Sequence, residues 1–212
     1  MKKILVVGAH GRTGIATVKE LLKSPQFVPI AGIRNKTQIA QFKNLGVETR
    51  FIDVRESVAK IKVQLTGIDA IVIALEGGWM VSLDGKVKVA QAAQQAGIKR
   101  LVLVSAGAIQ HFHDEKIMSW MKEMEEYSAA LYYADMFVRN SSLDYTIVRP
   151  ESLTDEPGTG LVNIGQDLSH TTVSRTDLAR VIVQSLASDN TVRKAFDLQK
   201  GSTTIRDAVA SV

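Results

Sequence analysis

KKILVVGAHGRTGIATVKELLKS, residues 2–24, is an apolar run, a glycine-rich turn and a helix, in that order. The run Ile4-Leu5-Val6-Val7 is short and unbroken, as expected of a strand buried on both faces of a parallel sheet. Gly8, Gly11 and Gly14 follow at three-residue spacing, and residues 13–24 read as an amphipathic helix with Ile15, Val18, Leu21 and Leu22 on one side. Such a turn aims backbone N–H groups and the positive end of a helix dipole at one point, which suits a phosphate. Glycine serves where the chain turns tightly, where a phosphate nears the backbone, and where helix packs on strand. His10, Arg12 and Thr13 complete the candidate phosphate-binding turn.

The second strand bears on which nucleotide is held. Residues 27–33, FVPIAGI, form a plausible strand with Pro25 and Pro29 fraying its start, and it runs into Arg34-Asn35-Lys36. A dinucleotide site that prefers NAD usually places Asp or Glu near this point, to accept from the ribose 2′-hydroxyl. No acid stands here. A 2′-phosphate wants cations, and Arg34 offers a planar fork matched to phosphate oxygens, with Arg12 as a second cation. The expected cofactor is therefore NADP, with NADPH preferred over NADH.

The chain has 212 residues, 45% of them hydrophobic, which suffices for an α/β domain with a sizeable core. It contains no cysteine, which removes disulfides and thiolate chemistry and fits a reducing cytoplasm. Met-Lys-Lys resembles the start of a signal peptide, but the apolar stretch that follows runs at once into glycines. No stretch approaches the ~20 apolar residues of a membrane span. The net charge of +4 is dispersed, so neither nucleic acid nor membrane is expected as a partner. The expected ligand is a small molecule, and the expected state a monomer or homodimer. His10, His111, His113 and His170 show no metal-ligand spacing, and HFHD at 111–114 reads as an exposed polar loop.

Strand and helix patterns alternate along the chain. Further strands are expected at 47–52, 69–74, 100–105 and 144–150, with helices at 58–65, 83–96 and 117–140. The fold class is thus α/β, a doubly wound parallel sheet of order 3-2-1-4-5-6. After Pro150 the pattern loosens. TDEPGTG at 154–160 is turn chemistry, SRTD at 174–177 has capping-box spacing before a helix at 178–186, and 195–198 is a possible seventh strand. One domain over 1–212 is expected, with 151–212 as a small substrate-side lobe. Ligands of such sheets bind beyond the carboxyl ends of the strands. That rule nominates Arg34, Asp53 and Val54, Ala74 and Leu75 with Glu76, Ser105 and Ala106, and Pro150 to Leu153. Trp79 and Met80 offer either a flat ring for stacking or an anchor on the core.

The loop GAHGRTG at 8–14, VLVSAGA at 102–108 and SSLDYTIVRPESLTDEPGTG at 141–160 resemble the atypical short-chain dehydrogenase/reductase group. Within it, the chain is similar to small NAD(P)H-binding proteins of the NmrA-like and biliverdin reductase B/flavin reductase families. The likeness runs from Lys3 to about Leu198. It implies a Rossmann fold, a nicotinamide nucleotide, and a pocket over the nicotinamide formed by the loops after strands four, five and six. The main branch of that superfamily uses Ser, Tyr and Lys, with the Lys four residues after the Tyr. The resemblance puts Ser105 on the serine and Tyr127 on the tyrosine, but Leu131 stands on the lysine. Without that cation the Tyr127 phenol is expected to stay near about 10, a poor acid at neutral pH. Three readings stay open: a reductase of flavins or quinones, a non-catalytic NADP(H) sensor with a partner docking near 110–116, and a nucleotide-sugar epimerase-like enzyme.

Overall fold

A computed structural model of the protein describes residues 1–115, 117–166 and 168–212. Six parallel strands carry the fold: β1 (Lys2–Val7), β2 (Phe27–Ile33), β3 (Glu48–Phe51), β4 (Ala70–Ile73), β5 (Arg100–Val104) and β6 (Asp144–Pro150). Their order is 3-2-1-4-5-6, as the alternation of patterns predicts. Alternate residues face opposite layers, which is why the central strands β1, β4 and β5 are largely apolar runs, whereas the edge strand β3, ETRF, is exposed or half-buried. Ile4, Val6, Val72 and Val102 enter one core, and Leu5, Val7, Ile71, Ile73 and Leu103 enter the other. The first core is covered by α1 (Arg12–Leu22), which packs on a late helix over Arg175–Leu186, and by Phe42 of a short α2 (Ile39–Lys43). The second is covered by α3 (Val58–Val63) and α4 (Lys86–Gln95).

Two helices depart from the sequence reading. The helix expected from residue 83 begins at Lys86, after a π-helical turn over Met80–Gly85. Gly85 lies against Val54, where a Cβ would come within 2.7 Å of the valine Cγ2. The long helix expected over 117–140 is two, α5 (Ser119–Glu123) and α6 (Glu125–Arg139), broken where Met124 takes φ −119° and ψ 44°. Apolar periodicity does not register a one-residue departure from helical dihedrals. Of the apolar side expected for α1, Val18 and Leu21 are buried, but Leu22 is exposed.

Residues 151–212 divide between the main sheet and a small pair of strands. β7 (Ser152–Thr154) and β9 (Thr172–Ser174) form a small parallel pair over the strand ends. The remaining strands, β8 (Leu161–Gly165), β10 (Lys194–Lys200) and β11 (Thr203–Thr204), extend the main sheet to nine strands. β10 is the seventh strand, parallel to β6, whereas β8 adds antiparallel to β10. The late helix is α7 (Arg175–Leu186), capped by the Ser174 hydroxyl, which accepts from the Asp177 N–H at 3.0 Å. A last helix, α8 (Ile205–Ala210), packs on it. No helix among the described residues is long and apolar enough to cross a membrane.

Candidate functional site

Two cavities of about 680 and 530 Å³ lie along the carboxyl edge of the strands, and they share Arg12, Thr13, Ala74, Leu75, Glu76 and Arg175 as walls. The larger runs from the glycine turn to the ends of β2 and β3. Gly8 takes φ +84° beneath the Ala74 carbonyl, where any side chain would collide. Gly14 packs on Ala9, so its place is helix-to-strand contact rather than the cavity wall. Gly11 is the N-cap of α1, which has no side-chain cap and no acid in its first turn. Its leading N–H groups therefore receive no side-chain acceptor from the cap or from the helix's own first turn.

At the far end of this groove stand Arg34, Arg55 and Asp53. Asp53 Oδ1 accepts from the Arg55 N–H at 3.0 Å and so fixes the turn after β3. His10 also lines the groove, with Nδ1 2.7 Å from Gln41 Oε1. Arg12 is turned elsewhere than the second-cation reading requires. Its Nη1 donates to the exposed Asp155 Oδ2 at 2.9 Å.

The smaller cavity lies over the ends of β4, β5 and β6. Ser105, Pro150 and Leu153 line it, with Met118, Trp120, Tyr127 and Leu131 as an aromatic and aliphatic wall. Ile109, Phe112, Met121 and Leu131 form a buried cluster behind that wall. The Ser105 Oγ is buried without a hydrogen-bond partner among the described residues. Tyr127 donates to Glu76 Oε1 at 3.3 Å. Burial, and then the charge and hydrogen bond of Glu76, push its phenol above the ordinary value rather than leaving it near 10.

Residues 8–189 match the NAD(P)H-binding family. The chain belongs to that family. It is 35% identical to the uncharacterized sugar epimerase YhfK of Bacillus subtilis, covering 98% of each chain. It is also 35% identical to the UPF0659 protein YMR090W of Saccharomyces cerevisiae, over 99% of this chain and 98% of that protein. The crystal structure of the oxidoreductase ylbE from Lactococcus lactis superposes with a TM-score of 0.87 at 32% identity, covering 99% and 96%.

The glycine turn and the two joined cavities of this NAD(P)H-binding protein fit a dinucleotide. There is a cradle that a Cβ would fill at Gly8, an uncapped helix start at Gly11, and an orphaned hydroxyl at Ser105. His10, Gly11, Arg12 and Thr13 of the glycine turn line one groove with Arg34, Asp53, Val54, Ala74 and Leu75 from the strand ends. Trp79 and Met80 do not line either cavity. Trp79 is 57% exposed and anchors nothing in the core.

The structure adds residues that the sequence reading missed. Lys86, at the start of α4, reaches the smaller cavity and donates to the Val104 carbonyl at 3.1 Å while 1% exposed. Burial lowers its ammonium to about 8, and Asp135 and Glu76 oppose that fall. It brings a cation to the cavity that Leu131 lines. Its signal was spacing: Lys86, Val89, Ala90 and Ala93 share one buried face of α4. Glu151 and His170 form a second pair on the opposite wall, with Nδ1 3.0 Å from Oε1, and His170 takes φ 55° to make it. Burial raises the Glu151 carboxyl and His170 opposes the rise. HFHD at 111–114 is a polar turn closed by His111 Nδ1 and Asp114 Oδ2 at 2.6 Å, although Phe112 within it is buried. No group of metal-ligating side chains occurs among the described residues. Lys116, the last residue of the loop expected to meet a partner, lies outside them.

Proposed function

We propose that this protein is an NADPH-dependent oxidoreductase whose acceptor is a small planar molecule such as a flavin or quinone. The observation that carries the reading is the smaller cavity. It continues from the glycine-turn groove, and it offers a flat-sided apolar wall beside one orphaned hydroxyl, while its tyrosine is tied to a carboxylate. When bound, the reduced nicotinamide supplies the hydride. The protein's part is orientation and exclusion of water. Trp120, Met118 and Leu131 give apolar contact to a ring, Ser105 Oγ is free to donate to the nicotinamide or to the acceptor, and Lys86 keeps a positive charge at that end. The acceptor proton comes from solvent or the acceptor's own chemistry, because a phenol raised above its usual range is a weak acid.

The test is NADPH oxidation followed at 340 nm against a panel of flavins and quinones. Tyr127→Phe is expected to keep the rate within a few-fold of wild type, whereas loss of a true general acid costs roughly 10²–10⁴-fold. Ser105→Ala is expected to cost about tenfold, since one hydrogen bond to the reacting pair is lost. A collapse on Tyr127→Phe at unchanged cofactor affinity would mean that Lys86 supplies the missing cation and the tyrosine relays the proton. Tight NADPH binding with no turnover of any acceptor would favour the sensor reading. The name of the Bacillus subtilis relative supports an epimerase, but Leu131 and the Tyr127–Glu76 contact argue against the proton relay of such an enzyme.

NADPH is expected to bind more tightly than NADH. Arg34 and Arg55 stand at the far end of the groove, and the one nearby acid, Asp53, accepts from a backbone N–H. Arg34→Ala is expected to weaken NADPH about tenfold or more, the worth of a charge-assisted hydrogen bond, and to leave NADH nearly unchanged. Calorimetric titration of both nucleotides checks this, and equal wild-type affinities would overturn it.

A further inference from the structure

Two guanidinium groups from distant parts of the chain, on arginines that form part of the shared wall of the cavities, are held by one carboxylate. Arg12 Nη1 lies 2.9 Å from Asp155 Oδ2, and Arg175 Nη1 lies 2.7 Å from Asp155 Oδ1. Arg12 begins α1 in the glycine turn, Arg175 begins α7, and Asp155 follows β7. Both arginines line both cavities. A dinucleotide that puts adenosine in one cavity and nicotinamide in the other must pass its pyrophosphate along that shared wall, past these two side chains. We propose that Arg175 is a pyrophosphate-binding residue, and that Asp155 is a resident counter-ion which Arg12 and Arg175 leave when the dinucleotide enters.

The exposures of the three groups favour such an exchange. Asp155 is 61% exposed and Arg12 71%, so their pairing is a surface contact worth little and cheap to open. Arg175 is only 13% exposed, so its stem is held while its fork reaches Asp155. Desolvation raises the Asp155 carboxyl, but the charges and hydrogen bonds of Arg175 and Arg12 together outweigh it and hold the carboxyl below its usual value. It therefore stays an anion at neutral pH, and it occupies the two guanidinium groups that a pyrophosphate would take. The segment beyond it does not depend on the clasp. The Thr159 and Gly160 N–H groups donate to the buried Asp177 carboxylate at 2.8 and 2.9 Å. Asp155 can swing away while 159–160 stay anchored. The carboxylate gives each guanidinium one oxygen, whereas a pyrophosphate can offer each of them two or more.

The test is calorimetric titration of the intact protein with NADPH, and with adenosine 2′-phosphate, which lacks the pyrophosphate. Arg175→Ala is expected to weaken NADPH about tenfold to a hundredfold and to leave adenosine 2′-phosphate unchanged. Asp155→Asn is expected to do the opposite, tightening NADPH about two- to fivefold by removing a competing anion. If Arg175→Ala fails to fold, Arg175→Lys is read instead. It keeps the charge, loses the fork, and is expected to weaken NADPH several-fold. The proposal is overturned if Asp155→Asn leaves NADPH affinity unchanged or lowers it, or if the Arg175 variants bind NADPH like wild type or weaken both probes alike. The measurement reads binding alone, so a lack of turnover, which would defeat the oxidoreductase reading, does not bear on it.

Discussion

Gly11→Val is expected to lower NADPH affinity by more than about a hundredfold while the protein still folds. Gly11 sits at φ −66° and ψ 161°, an ordinary extended conformation that valine also adopts. A Cβ there would stand 3.3 Å from the Gly8 carbonyl oxygen, a contact that needs a shift of only tenths of an ångström. The side chain would fill the mouth of the uncapped α1, where a phosphate would take the leading N–H groups. Losing two charge-assisted hydrogen bonds at about 1.5–3 kcal/mol each is enough for that effect. Gly14→Val is the contrasting control. Its Cβ would come within 2.7 Å of the Ala9 Cα, so this variant is expected to lose the fold itself. Thermal unfolding by circular dichroism, paired with NADPH titration, separates the two. A folded Gly11→Val protein with undiminished affinity would show that the glycine turn is not the site.

Asp135→Ala is expected to cost about 3–5 kcal/mol of stability, the usual penalty for leaving a buried charge without its partner. The Asp135 carboxylate spans the Arg149 guanidinium, at 2.8 Å to Nε and 3.2 Å to Nη2, and both side chains are 3% exposed or less. Asp135 is also the leading charge that opposes the fall of the Lys86 ammonium. Removing it takes the hydrogen-bonded carboxylate from Arg149 and leaves Glu76 as the charge opposing the fall of Lys86, so Lys86 is expected to titrate below about 8 in the variant. Urea unfolding at pH 7 measures the loss. Asp135→Asn, which keeps an acceptor for Arg149 but no charge, is expected to fall between the two. A loss under about 1 kcal/mol for Asp135→Ala would mean that water reaches the pair and solvates the arginine.

These two predictions draw on different kinds of information. The glycine turn was legible in the sequence because strand, turn and helix are local, and a phosphate cradle is built from their backbone. The Asp135–Arg149 pair was not legible. Its members lie on α6 and β6, and nothing in either segment's periodicity marks a charge as buried. Lys86 is intermediate. Its helical spacing with Val89, Ala90 and Ala93 puts it on the apolar face, but only the packing of α4 beside β5 shows the ammonium reaching the Val104 carbonyl.

By itself the sequence determined the doubly wound sheet, its 3-2-1-4-5-6 order, and the strand-end residues that line the groove. Buried parallel strands and amphipathic helices write their own periods into the chain, and the crossover rules leave few ways to assemble them. Tertiary structure alone decided how the last sixty residues divide. The seventh strand, β10, was legible at 195–198, but only the fold shows β8 and β11 joining the main sheet beyond it while β7 and β9 pair above. Short strands at a sheet edge carry weak patterns, and their partners are chosen by long-range pairing rather than local propensity. Tertiary structure also decided the company each charge keeps. Tyr127 meets Glu76, His170 meets Glu151, and Arg12 and Arg175 meet over Asp155, 143 and 20 residues from it along the chain. A side chain's charge is local to its residue, but the partner that sets its chemistry is fixed only when the folded elements converge.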